Sequence, residues 1–319
     1  MRVASSLATA VLLFMNAPAA SNMQPANQTI VVRGTLLSPE QARQRAVDFV
    51  KSTGVANGQK QVARWVVPVC IKVIGVSPPQ EARVVGQMLA VAREAQVPVA
   101  KVDCEPNLTV SFTADAGQVV RQIHSKKPHQ FRELGNAERE RLLNGRAPVR
   151  WWYATKMLDR EGMQANNVSP GWIGTGGTSS GGGESNNSNG MVSLDGGDFM
   201  STNQYNSGSH VRTPTVRSLY GATVVVDAPV AGNTPIDSIA AYAAMVAFAE
   251  MDADAPPPDS ILGLFQPSSA EGSLTDWDMA FLKSLYRMPL DRRSRIQRGH
   301  LVEALLDERL PPKVDAKRP

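Results

Sequence analysis

The strongest hydrophobic pattern in the chain lies between Thr223 and Met251. Thr223-Val224-Val225-Val226-Asp227 is β-branched, a Pro/Gly turn follows, and an Ala-rich stretch runs from Thr234 to Glu250. A β-branched run leading into a capped apolar stretch predicts a buried strand feeding a buried helix. Thr234-Pro235-Ile236-Asp237 offers a Thr-x-x-Asp capping box with proline at the first helical position. Ile236, Ile239, Ala240, Ala243, Ala244, Ala247 and Phe248 leave little polar face, so this helix is expected at the centre of the fold. It contains no His, Cys or Lys, and its carboxylates lie only at its ends.

The remaining pattern predicts elements before and after this pair. Thr29–Arg33 has the pattern of a short strand, and the capping box Ser38-Pro39-Glu40-Gln41 opens a helix to about Lys51. Gly54–Lys60 is a loop. Trp65–Val76 is apolar and β-branched, and Ser77-Pro78 opens a helix through Ala95 that buries Val84, Val85, Met88, Leu89, Val91 and Ala92. Val97–Val102 and Asn107–Phe112 follow as two strands. Asp115–Ile123 suggests a helix, Asn136 caps a charged helix ending near Gly145, and Val149–Tyr153 is a strand with Trp151 and Trp152 on opposite faces. Between residues 164 and 212 the composition changes. Gly, Ser and Asn dominate Gly171–Asn189, which points to a long surface loop with a short hairpin at Met191–Phe199. A stiff acidic Pro turn follows the central helix. Next come a short helical piece at Ser260–Phe265, a helix capped at Thr275 and running to Arg287, and a last helix from Arg293 to Arg309. The fold class is therefore α+β: one mixed sheet with packed helices and a helical C-terminal part.

Composition adds the compartment. The first twenty residues have Arg2, an apolar run from Val3 to Met15 and the small residues Ala17-Pro18-Ala19-Ala20, the layout of a signal peptide cleaved near Ala19 or Ala20. No later segment is long and apolar enough to span a membrane, so the mature protein is expected to be periplasmic or secreted. The segments are then 1–20 signal peptide, 29–163 α/β N-terminal subdomain, 164–212 loop, 213–310 central strand and helix with the C-terminal helices, and 311–319 tail. The net charge of +4 comes without a basic stripe interleaved with aromatics, which argues against nucleic-acid binding. In an exported chain an even cysteine count favours a disulfide. Cys70 and Cys104 are expected to pair, closing a loop of about 35 residues.

Few constellations carry chemistry. Gly177-Thr178-Ser179-Ser180-Gly181 matches G-x-S-x-G but lacks the strand before it and the helix after it that a nucleophile elbow needs. Asp252, Asp254 and Asp259 suggest a calcium loop, yet a Pro run stands where an EF-hand needs Gly and Glu. His124, His129, His210 and His300 have no helical i, i+4 pair around a Glu. Gly174–Gly183 is not a phosphate loop, because no Lys-Ser/Thr follows it. Trp151 and Trp152, with Tyr153 and Trp172, are candidates for stacking a sugar or peptide, although strand alternation allows only one of the adjacent pair to face a ligand. No residue qualifies as catalytic or metal-binding, and no cofactor is expected. The readings left open are a non-catalytic binding protein of the cell envelope, a hydrolase joining Asp227, Glu250 and His210, and a glycan-binding module using Trp151 or Trp152.

Arg64-Trp65-x-x-Pro68-Val69-Cys70, Cys104-Glu105-Pro106-Asn107-Leu108-x-Val110 and Trp277-Asp278-x-x-x-Leu282-x-x-Leu285-Tyr286 resemble a family of secreted alphaproteobacterial proteins of uncharacterised role. The order of strand, long helix, edge strands, then strand and central helix is similar to the zincin layout. A zincin's central helix carries His-Glu-x-x-His, two imidazoles one turn apart and a carboxylate that activates water. Here the corresponding helix has Ala241-Tyr242-Ala243-Ala244-Met245-Val246-Ala247-Phe248. The resemblance therefore implies a metal-free zincin-like frame without zinc proteolysis, its partner a cell-envelope component or another protein.

Overall fold

A computed structural model describes residues 37–58, 60–159, 212–252, 256–266 and 272–309. The expected signal peptide, the strand at Thr29–Arg33, most of the Gly/Ser/Asn loop with its hairpin, Ser179, Trp172, His210, Asp254 and the tail lie outside these residues. The described residues from Ser38 onward form one compact unit.

Its centre is strand β5 (Val216–Asp227), which accepts neighbours on both edges. Strand β4 (Val149–Leu158) runs antiparallel along one edge. The other edge pairs in parallel with β1 (Arg64–Trp65) near its start and with β3 (Leu108–Thr113) near its end. Beyond β3 lies β2 (Ile71–Ile74), again parallel. The sheet is thus mixed, mostly parallel, and the α+β expectation holds at that level. Helix α2 (Pro78–Ala95) is the crossover that joins the parallel strands β2 and β3, a connection too long for a hairpin.

Strand alternation sends successive side chains to opposite faces, and helices cover both. On one face, Val224 and Val226 join a large core built with α1 (Pro39–Ser52), α2, α6 (Ile236–Phe248), α7 (Asp276–Arg287) and α8 (Ser294–Arg309). On the other, Val225 and Trp152 join a smaller core with α3 (Ala116–Lys126), a 3-10 turn (Pro128–Phe131) and α4 (Asn136–Asn144). Helix α6 is central, as its composition predicts: every residue from Ser238 to Phe248 is buried. A helix that is apolar on all sides can exist only where no side meets water.

Most helix boundaries follow their caps. Ser38 and Gln41 exchange capping hydrogen bonds, as do Thr275 and Asp278. The exception is α6. Thr234 Oγ1 donates to the Ala231 carbonyl (2.7 Å) instead of capping, and Pro235 occupies the cap position. The Pro/Gly turn before it contains a short helix, α5 (Ala228–Ala231), capped by Asp227. The α4 cap is Gly135, one residue before the expected Asn136.

Two strand expectations need correction. The run from Trp65 to Val76 is not continuous. Pro68 cannot donate to a ladder, and the chain leaves β5 as β1 and resumes beside β3 as β2. Asn107 holds the break, its side chain accepting from the Cys70 amide (2.8 Å) and donating to the Pro68 carbonyl (2.9 Å). Nor is Val97–Val102 a strand. Only Val99 bridges to Val69, and Val102 is 91% exposed. Pro98 removes one donor, and the chain turns away at Asp103, whose φ is 65°.

Cys70 and Cys104 form a disulfide with a Cα–Cα distance of 5.9 Å. It fastens the start of β2 to the loop that enters β3. In the chain-entropy model a loop of this length contributes about 4 kcal/mol. The Cys70→Ser/Cys104→Ser double variant is expected to lose about that much in urea unfolding, and reduction of the native protein should match it. An unchanged midpoint in both would contradict the role of the clasp.

Candidate functional site

A charged cluster closes the C-terminal end of α6. Glu250 lies one residue beyond the α6 C-cap Ala249, and its carboxylate is ion-paired with Arg217 on β5 and with Lys60 (2.7 Å) from the loop before β1. Arg217 also reaches Glu133 (2.6 Å), which in turn accepts hydrogen bonds from the Thr155 amide and hydroxyl on β4. Glu250 and Arg217 are nearly enclosed, with side chains 13% and 10% exposed.

A register shift puts Arg217 there. The pairing of β4 with β5 steps from Ala154↔Gly221 to Thr155↔Leu219, so Tyr220 is an extra residue on β5. One bulged residue reverses the alternation that follows it. Ala222 and Leu219, three apart, both face the large core, and the same phase carries Arg217 to the side of α6. Without the extra residue, Ser218 would point at Glu250 and the carboxylate would lack its guanidinium.

Beside the cluster lies a small cleft of about 50 Å³, bordered by Lys60, Glu133, Glu138, Tyr153, Glu250 and Asp252. That is room for one or two water molecules. The Tyr153 hydroxyl lies against the Val246 and Ala249 carbonyls (2.6 and 2.9 Å) and accepts from the Met251 amide (3.1 Å). Asp252 pairs with Arg141 (3.2 Å), and its amide donates to the Thr53 carbonyl (3.1 Å). The next residue, Gly54, has φ 69°, and a Cβ there would lie 2.3 Å from the Asp252 carbonyl oxygen, so only glycine fits this crossing.

The electrostatics favour closed pairs over reactive groups. Burial pushes the Glu250 carboxyl pKa up, but Arg217 and Lys60 outweigh it and hold it below the usual range. Burial acts against the charged form of Arg217, and Glu250 and Glu133 more than restore it. Burial raises the Tyr153 phenol pKa well above its ordinary value, so it stays neutral. Glu138 differs. Burial, then the neighbouring charge of Asp252, raises its pKa, and Lys60 only partly opposes this.

Of the residues of the hydrolase reading, His210 lies outside the described residues, and Asp227 and Glu250 stand in different settings. Asp227 caps α5 through the Val230 amide (3.3 Å) and accepts from the Ala116 amide (3.1 Å), whereas Glu250 belongs to the Arg217 cluster. Trp152 is 2% exposed and stacks on Phe131 with centroids 5.0 Å apart, a ring used up by the protein itself. Trp151 is half-buried, edge-on to Tyr242 (6.1 Å), and donates to the Met251 carbonyl. Asp259 is paired with Arg45. Among the described residues no group of three or more His, Cys, Asp or Glu is placed to hold a metal ion. Sequence reasoning missed Arg217, Lys60, Glu133 and Glu138. One signal was available: an arginine only two residues before Leu219 in a core strand requires a buried carboxylate, and Glu250 comes just after the apolar run.

No family model, no curated protein and no solved structure matches this chain.

Removing Arg217 leaves Glu250 buried with Lys60 as its remaining cation. Arg217→Met is expected to cost about 3 kcal/mol in urea unfolding, and Arg217→Met/Glu250→Gln less than the single change. A single-variant loss below about 1 kcal/mol would contradict the burial of the pair. Glu138 has a raised pKa in the folded state, so its contribution to stability falls as pH rises from the ordinary carboxylate range through that raised value. Glu138→Gln should therefore raise the Tm at pH 7 and change it much less at pH 4; equal shifts at both would contradict the assignment.

Proposed function

We propose that this chain is an exported binding protein of the cell envelope, without catalytic activity, on a zincin-like frame that carries no metal motif. The observation that supports this best is the central helix. The positions that carry His-Glu-x-x-His in a zincin are here filled by a run from Ala241 to Phe248, every residue of it buried in apolar packing. An imidazole there would have to displace core rather than line a cleft. The frame itself is favoured by the order of elements: strand β2, long helix α2, strand β3, antiparallel edge strand β4, then β5 leading into α6.

Two further observations favour binding over catalysis. The buried charges at the end of α6 neutralise one another beside a cleft sized for water, and a larger cleft of about 390 Å³ between α2, α7 and α8 has its charged groups tied in the pairs Lys283–Glu94 (2.8 Å) and Arg309–Asp276 (3.1 Å). Export is supported by the leader pattern of residues 1–20 and by the Cys70–Cys104 clasp, since disulfides persist in oxidising compartments. No helix among the described residues is long and apolar enough to cross a membrane.

The test is direct. Full-length protein incubated with zinc and casein should show no zinc-dependent cleavage, and protein purified from its native compartment should begin after Ala19 or Ala20. Zinc-dependent proteolysis would overturn the non-catalytic reading; an intact leader on cytoplasmic protein would overturn export.

A further inference from the structure

The net charge of the chain is concentrated in one layer of the fold. Residues 115–150, counted from the α3 cap, hold eight Lys or Arg and four Asp or Glu, a net charge of +4, which equals that of all 319 residues, so the others together carry none. These residues supply α3, the 3-10 turn and α4, the helices that cover one face of the sheet through the smaller core. Of their carboxylates, Asp115 caps α3, Glu133 is bound by Arg217 and Glu138 is half-buried at the cleft, while Glu140 is exposed, bonded to the neutral Asn144 side chain (2.7 Å), and offsets one surface cation. Of the cations, Arg141 is paired with Asp252 and Arg150 is buried. Arg121, Lys126, Lys127, Arg132 and Arg146 are exposed, Arg139 is half-buried, and none of the six has a carboxylate partner among the described residues.

The charge distribution points to this layer as a docking surface for anionic phospholipid headgroups. A stable protein partner would need an apolar or aromatic centre to the contact. None of the exposed large apolar side chains among the described residues, Val66, Ile74, Val102, Tyr220 and Val230 among them, falls within residues 116–150. Nor do residues 116–150 hold an exposed Phe, Tyr or Trp on which bases could stack, Phe131 being buried. A phosphate-rich lipid surface needs neither: it is extended and polyanionic, and it attracts clustered Lys and Arg without insertion. The assignment rests on the envelope reading for its choice of lipid over nucleic acid as the polyanion. The contact is peripheral and electrostatic, so it weakens steeply with salt.

Flotation of the full chain with vesicles tests it. Phosphatidylcholine vesicles containing phosphatidylglycerol should carry the protein at low salt and release it at about 0.5 M salt, where the Debye length falls to a few ångströms. Pure phosphatidylcholine should carry none. Each neutralised cation should reduce partitioning about five-fold, so Lys126→Gln/Lys127→Gln/Arg132→Gln should reduce it about 100-fold. Arg146→Gln alone should give about a five-fold loss and serves if the triple variant does not fold. Lys72→Gln, exposed on β2, should leave partitioning unchanged. The assignment is overturned by equal binding to neutral vesicles, by binding that survives the triple change, by an equal loss in Lys72→Gln, or by tighter retention on duplex DNA at matched phosphate and salt. Failure on vesicles without zinc proteolysis removes this surface alone, whereas zinc-dependent cleavage removes the non-catalytic reading whatever the vesicles show.

Discussion

Strand β5 is hydrogen-bonded along both edges and packed on both faces, and that constraint propagates through the molecule. A strand so enclosed must be apolar on both sides, which Val224, Val225 and Val226 supply. Its two faces then demand separate helical covers, which is why there are two cores. Helix α6 leaves β5 through the short helix α5 and must lie within the larger cover. Small side chains such as Ala240, Ala243, Ala244 and Ala247 let neighbouring elements approach from every side. The same tightness leaves α6 without charge along its length and confines it to the two ends, Asp237 at the entry and Glu250 beyond the exit.

At that exit the chain places Glu250 where solvent is nearly excluded. A lone buried carboxylate would be costly, and the bulge at Tyr220 supplies the remedy by rotating Arg217 inward. Glu133 and Lys60 complete a network that draws on the loop before β1, the segment before α4, β5 and the residue after α6. The cluster is better understood as a joint between four distant pieces of chain than as a reaction centre. The Tyr153 hydroxyl reinforces it by engaging backbone groups at the end of α6.

Much of this was legible in the sequence where a local rule operates. The capping boxes at Ser38 and Thr275, the helix Pro78–Ala95, and the buried strand and helix after Thr223 all carry their signal within a few residues. Where the outcome depends on partners far along the chain, it was not. Trp65–Val76 has the pattern of one strand, but which neighbour each half meets is decided by β3 and β5, more than thirty residues away. Val97–Val102 has strand composition yet only one bridge to use. Thr234 has the right spacing for a cap, and a nearer carbonyl took its hydroxyl. The bulge and the arginine it redirects are properties of the paired strands, so a single strand's pattern does not reveal them.

The Cys70–Cys104 bond spans 34 positions and joins pieces that flank one helix. Everything it fastens (β2, α2 and the entry to β3) is therefore synthesised before residue 113, about a hundred residues ahead of the strand that later fills the middle of the sheet. On the export proposed above, the strand–helix–strand unit has all its covalent partners on the far side of the membrane before β5 crosses, so the clasp is free to close ahead of the longest-range pairing of the sheet.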